Sequence, residues 1–164
     1  GTWEGGREKA PAAFCRKALT STEHFEMWGD GKQTRSFTFI DDCVEGVLRL
    51  MYSDCKVPIN LGTVRMVDMI EFANIAMSFE EKNLPIKHID GPMGVRGRTS
   101  NNELIKEELG WEPTILIEEG LKKTYFWIKG EIEAQEKAGK DVSKLSHSEI
   151  VQQVDDTLMQ LGKE

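Results

Sequence analysis

The sequence predicts an α/β fold, on three observations. Segments with apolar residues at helical spacing alternate with short extended runs. Proline, glycine and carboxylate signals fall at the ends of the helical segments. The extended runs are brief, so they supply short strands rather than a domain's main sheet.

Pro11 suits the start of a helix, where its missing N–H is no loss, and the residues after it can carry that helix to about Thr20. Ala10 reads as its N-cap. It offers no side-chain oxygen, which leaves the N–H groups of Ala12 and Ala13 open to an anion. FEMWGDGKQTRSFTFI reads as two extended segments about a Gly29-Asp30-Gly31 turn, with Phe37 and Phe39 alternating against Ser36 and Thr38. Asp42 and Glu45 have the spacing of a capping box, and Val44, Val47, Leu48 and Met51 form an apolar stripe, so a second helix runs from about Asp42 to Tyr52. VPINLG is a short apolar run ending in glycine. Met66, Ile70, Ala73 and Met77 trace one face of a third helix, and LPIKHI supplies another strand. Ser100 and Glu103 again have capping-box spacing, ahead of a helix that ends at Gly110. A longer helix from Ile117 to Lys137 carries Leu121, Tyr125, Ile128 and Ile132. Residues 1–140 therefore read as one domain. Residues 141–164 read as a tail: a polar linker, then helical spacing at Ile150, Val151, Val154, Leu158 and Leu161.

A chain of 164 residues with 39% hydrophobic and 30% charged residues fits one soluble folded domain. Its net charge of -7 argues against nucleic-acid binding, so an anionic ligand needs a local basic cluster. No apolar run is long enough to span a membrane. Cys15, Cys43 and Cys55 show no C-x-x-C spacing, which fits reduced structural thiols in the cytoplasm. His24, His88 and His147 match no metal-ligand spacing, so no metal site is expected. Asp41 and Asp42 fit helix capping better than acid–base chemistry. Arg16 reads as solvent-facing, and Trp28, Trp111 and Trp127 as core, with Trp3 left open.

The turn G-x-G-x-x-G that binds dinucleotides is absent, as are G-x-x-x-x-G-K-[ST], H-E-x-x-H and G-x-S-x-G. Four motifs nevertheless occur in a telling order: WGDGKQTRSFTFIDD at 28–42, VPINLGT at 57–63, GVRGR at 94–98 and LGWEPTILIEEGLKKTYFW at 109–127. Together they resemble the C-terminal, substrate-binding portion of an extended short-chain dehydrogenase/reductase, the family that remodels nucleotide-linked sugars. GTWEGGREKAPAAFCRKA, FEMWGDGKQTRSFTFIDDCVEGVLRL and SFEEKNLPIKHIDGPMGVRGR further resemble the plant members that epimerise a GDP-linked hexose.

The resemblance implies that the N-terminal Rossmann half, with the NAD site, the tyrosine-lysine pair and a catalytic cysteine, lies upstream. No residue of this chain is then assigned to the cofactor. It implies a GDP-sugar substrate and a homodimeric full-length enzyme. It also implies a reaction in which transient oxidation at sugar C4 acidifies C3 and C5, which lose and regain protons on opposite faces. Lys9 matches the family's catalytic lysine, a role that requires a lysine pKa tuned toward neutrality. Glu8, Lys9, Ala10, Lys17, Gln33, Thr34, Arg35 and Arg98 match substrate-binding positions, with the two arginines gripping diphosphate oxygens. Ser148 is the counterpart of a late serine that reaches substrate.

Read without the family, Lys9 is a solvated loop cation, and Arg35 and Arg98 are surface ion-pair partners. Asn101 stands where the family usually has aspartate, which predicts an altered local cap or ion pair. A 4-epimerase, a 4,6-dehydratase and a non-catalytic sugar-nucleotide-binding module are the competing readings.

Overall fold

The order of elements in the computed structural model, which describes residues 2–91 and 94–147, is α1 (Ala10–Thr20), β1 (Phe25–Trp28), β2 (Thr34–Ser36), α2 (Ile40–Met51), β3 (Met66–Asp68), α3 (Met69–Ser78), β4 (Ile86–Ile89), β5 (Gly97–Arg98), α4 (Glu103–Leu109) and α5 (Ile117–Lys137), then a 3₁₀ turn (Ser143–Ser146). The strands make two small sheets. β1 pairs in parallel with β4, with Phe25 opposite Ile86. β2 lies between β3, antiparallel, and β5, parallel. The two extended segments about Gly29-Asp30-Gly31 therefore do not pair with each other. Each finds its partner far along the chain.

Helix α1 packs against α3, α5 and the 3₁₀ turn. Phe14 of α1 meets Phe25 of β1 edge-on at 5.3 Å between ring centroids, and Phe37 stacks on Phe72 of α3 at 4.5 Å. Tyr125 and Ile128 of α5 are fully buried behind them. Phe72 touches both Phe14 and Phe37, so truncating it to alanine would cost about 3–5 kcal/mol. Trp3 joins this core, whereas Trp127 is 54% exposed, against expectation, because α5 turns that side outward.

Neither capping box forms. Helix α2 starts two residues earlier than expected, with Phe39 as an N-cap that makes no side-chain bond. The buried Asp42 carboxylate is drawn instead to the N–H groups of Thr114 and Ile115, at 2.9 and 2.7 Å. Ser100 donates to Asn102 Oδ1, and Asn101 Oδ1 accepts from the N–H of Glu103 at 2.9 Å, so Asn101 itself satisfies the start of α4. Gly110 ends that helix at φ 57° as expected. Met66 belongs to β3 rather than to α3, whose N-cap is Asp68, accepting from Glu71 N at 2.7 Å. VPINLG forms no strand.

Helix α2 packs by one face only. A Cβ on Gly46 would lie 2.3 Å from Leu61 and 2.8 Å from Trp111, so the close approach there requires glycine. Ile40, Val44, Val47, Leu48 and Met51 remain exposed. The apolar stripe read from the sequence is present, but among the described residues nothing covers it.

Candidate functional site

The start of α1, β1 and β2 enclose a cleft of about 510 Å³. Its position follows from local structure. Gly5 and Gly6, both at positive φ, turn the chain into the 7–9 loop, and Pro11 then starts α1. Glu8, Lys9, Ala10, Lys17, Gln33 and Arg35 all line the cleft, over an apolar floor that includes Phe14, Met27 and Phe37. Sequence positions more than twenty apart thus share one wall.

The N-cap of α1 is Lys9, not Ala10. The Lys9 carbonyl accepts from Ala13 N at 3.0 Å, so Ala13 is already paired. The donors left open by position are the N–H groups of Ala10 and Ala12, because Pro11 has none. They face the N-terminal, electropositive end of the helix, beside the exposed Lys9 side chain.

Lys17, one to two turns further along, is 5% exposed. Its ammonium donates to the Glu26 carbonyl at 3.0 Å and lies 5.8 Å from the centroid of the Trp28 ring. Burial, reinforced by neighbouring Arg16 and partly offset by Glu26 and Glu8, lowers its pKa to about 8. A cation placed this way recovers solvation when an anion enters the cleft.

Arg16 is buried, contrary to the expectation of a solvent-facing charge. Its guanidinium pairs with Glu8 at 2.6 Å and donates to the carbonyls of Leu145 and His147. Helical spacing carries the missed signal: positions 12, 15, 16 and 19 share a face, and the other three are Ala, Cys and Leu. Trp28, expected only as core, lines the cleft. Glu8 Oε2, Arg16 Nε, Trp28 Nε1 and Gln33 Oε1 are buried without a protein hydrogen-bond partner. Each belongs to a residue of the cleft wall. Such atoms are normally satisfied by water or a ligand.

Thr34 and Arg98 do not line the cleft. Thr34 is held in the sheet, its N–H donating to the Arg96 carbonyl at 2.9 Å. Arg98 is exposed on β5, but its backbone is in register with that of Arg35 on β2. Arg96 pairs with Asp30 at 3.0 Å. Ser148 and the helical spacing beyond it lie outside the described residues. Cys15 is buried, and its thiol pKa is pushed up to about 12 by desolvation, so it is no nucleophile. Among the described residues no cluster of His, Cys, Asp or Glu could hold a metal, and no helix is long and apolar enough to cross a membrane.

What the arrangement can do is bind an anion with attached hydroxyls. Arg35, Lys17 and the α1 N-terminus supply donors for phosphate oxygens. Glu8 supplies an acceptor for hydroxyls, and Lys9 an exposed ammonium at the rim.

Comparison with known proteins identifies the family. The family model described as GDP-mannose 4,6 dehydratase matches residues 4–124. The chain is similar to GDP-mannose 3,5-epimerase of Arabidopsis thaliana, at 65% identity over 151 residues, 92% of this chain and 40% of that protein. It is similar to GDP-mannose 3,5-epimerase 1 of Oryza sativa subsp. indica at 63% identity, with the same coverage. The chain thus spans about 40% of the length of the curated relatives it matches. In structure it is similar to UDP-glucose 4-epimerase of Thermotoga maritima with UDP-glucose, with a TM-score of 0.68, 26% identity, and coverage of 80% of this chain and 42% of that one.

Proposed function

We propose, from the premise that this chain belongs to the GDP-mannose 4,6-dehydratase family of extended short-chain dehydrogenases/reductases, that it forms the sugar-nucleotide-binding part of a GDP-mannose 3,5-epimerase. The observation that carries the reading is the single cleft that unites Glu8, Lys9, Ala10, Lys17, Gln33 and Arg35. Arg98 stands beside that wall, in register with Arg35. The reaction is conversion of GDP-mannose to GDP-L-galactose, for ascorbate and cell-wall sugars, in the cytoplasm, by a homodimer of the longer protein.

In this reading Arg35 and Arg98 bind the diphosphate as planar forks, and Lys17 adds a cation beneath it. Glu8 accepts from sugar hydroxyls. Lys9, at the rim and free to move, transfers a proton at one face of the sugar. Inversion also needs an acid or base on the other face, which this wall does not supply.

The described residues do not fit NAD. The sequence carries no glycine-rich turn of the kind that follows a strand and opens a helix to hold a dinucleotide. Cofactor binding, and the reversible oxidation that makes the sugar C–H bonds acidic, are assigned to the rest of a longer protein. The bare apolar stripe on α2 supports this, since such a face ordinarily packs on another part of the fold. The isolated chain is expected to bind and not to turn over.

Isothermal titration of the 164-residue chain with GDP-mannose tests the binding claim. Saturable binding that GDP competes away and that Arg35→Ala weakens supports it; no binding, alone or joined to a cofactor half, contradicts it. Product analysis of the joined protein separates 3,5-epimerisation from 4-epimerase or 4,6-dehydratase activity.

A further inference from the structure

The Arg16–Glu8 ion pair is buried, with both side chains 4% exposed. Arg16 Nη2 donates to Glu8 Oε1 at 2.6 Å. Its other arm, Nη1, donates to the carbonyl of Leu145 and, at 3.1 Å, to that of His147. One guanidinium therefore joins the loop that carries Lys9 to the 143–147 segment at the far end of the described chain. Desolvating a guanidinium costs several kcal/mol unless its donors are met, so loss of any of these partners weakens the hold on the other two.

The contact bears on the cleft because Glu8 lines it, with Oε2 left without a partner. A carboxylate repels a diphosphate and accepts from hydroxyls, so the Glu8 end and the Arg35 end serve different parts of one ligand. We propose that Arg16 is a positioning residue: by holding the Glu8 carboxylate together with the carbonyls of Leu145 and His147, it makes docking of the 143–147 segment a condition for the hydroxyl-binding end of the cleft. The proposal rests on the sugar-nucleotide reading of that cleft and adds to it a dependence on the end of the described chain.

Two measurements on the full chain test it, in the wild type, Arg16→Met and Arg16→Lys. The first is amide hydrogen exchange over residues 5–9 and 143–147; the second is calorimetric affinity for GDP-mannose and for GDP. In Arg16→Met exchange should quicken in both segments. GDP-mannose affinity should fall about tenfold, the worth of a lost charged hydrogen bond, while GDP affinity stays within about twofold. Arg16→Lys keeps the charge but not the fork, and should stay closer to Arg16→Met than to the wild type. Equal losses for GDP and GDP-mannose would reduce Arg16 to a structural residue and overturn the proposal. A wild-type chain that binds neither ligand overturns the reading of the cleft itself. Normal ligand binding with unchanged exchange in Arg16→Met overturns the clamp alone.

Discussion

Arg35 and Arg98 stand opposite each other on the neighbouring parallel strands β2 and β5. Paired positions on adjacent strands project to the same sheet face, so backbone pairing sets the two arginines side by side on the sheet, although only Arg35 lines the cleft. Arg35 also donates to the Thr34 carbonyl at 2.6 Å, which fixes one arm of its fork.

Arg35→Ala and Arg98→Ala should each weaken GDP binding by roughly tenfold or more, the range of a charge-assisted hydrogen bond. In the double variant the losses should not simply add, because both act on one diphosphate. Titration of the four proteins with GDP decides it. An Arg98→Ala variant that binds as the wild type would leave Arg35 to act alone.

Lys17 should make diphosphate binding in the cleft pH-dependent. Its pKa, lowered by burial to about 8, means that the ammonium is largely present at pH 7 and largely lost at pH 9. A bound diphosphate favours the charged form and raises that pKa, so protons are taken up on binding and affinity falls as pH rises through about 8. Lys17→Met should bind more weakly at pH 7 and show a flatter profile between pH 7 and 9. Identical profiles for the two proteins would contradict the assignment.

Much of the fold is legible in the sequence where local rules agree with the tertiary structure. Pro11, Gly110 and the spacing of Leu121, Tyr125 and Ile128 marked α1, the end of α4 and the buried face of α5. The capping boxes misled because Asp42 and Ser100 found stronger or nearer partners in the folded chain, and no local rule anticipates a loop such as 113–116 arriving beside Asp42. The three-residue strands are fixed by distant pairing, so β3 was missed, its Met66 having been read as part of α3, and the two segments about Gly29-Asp30-Gly31 pair elsewhere in the chain. At the cleft, the family motifs singled out the polar wall. Arg16 was misplaced because its charge outweighed its position on an otherwise apolar helix face.

Asp42→Ala should destabilise the chain by about 3 kcal/mol, since one buried carboxylate accepts from two loop N–H groups that would both be orphaned. Urea denaturation is the check. A loss below about 1 kcal/mol would mean that water replaces the carboxylate at both donors.

Cys15 should resist alkylation at pH 8 in the folded chain, because burial holds it as a thiol with a pKa of about 12, whereas the partly exposed Cys43 and Cys55 react. Mass mapping after brief labelling distinguishes the three. Early labelling of Cys15 would show that α1 does not pack on α5 as described.

The most direct measurement joins this chain to the rest of the Arabidopsis relative, beyond the 40% it matches, and follows deuterium entry into GDP-mannose in heavy water, with and without Lys9→Ala. Deuterium should enter at C3 and C5, together with formation of GDP-L-galactose, in the joined protein. Lys9→Ala should lower that exchange by at least about a hundredfold, the usual weight of a proton-transfer group, with GDP-mannose still bound. Full turnover in Lys9→Ala, or no exchange in a joined protein that folds and binds both ligands, would contradict it.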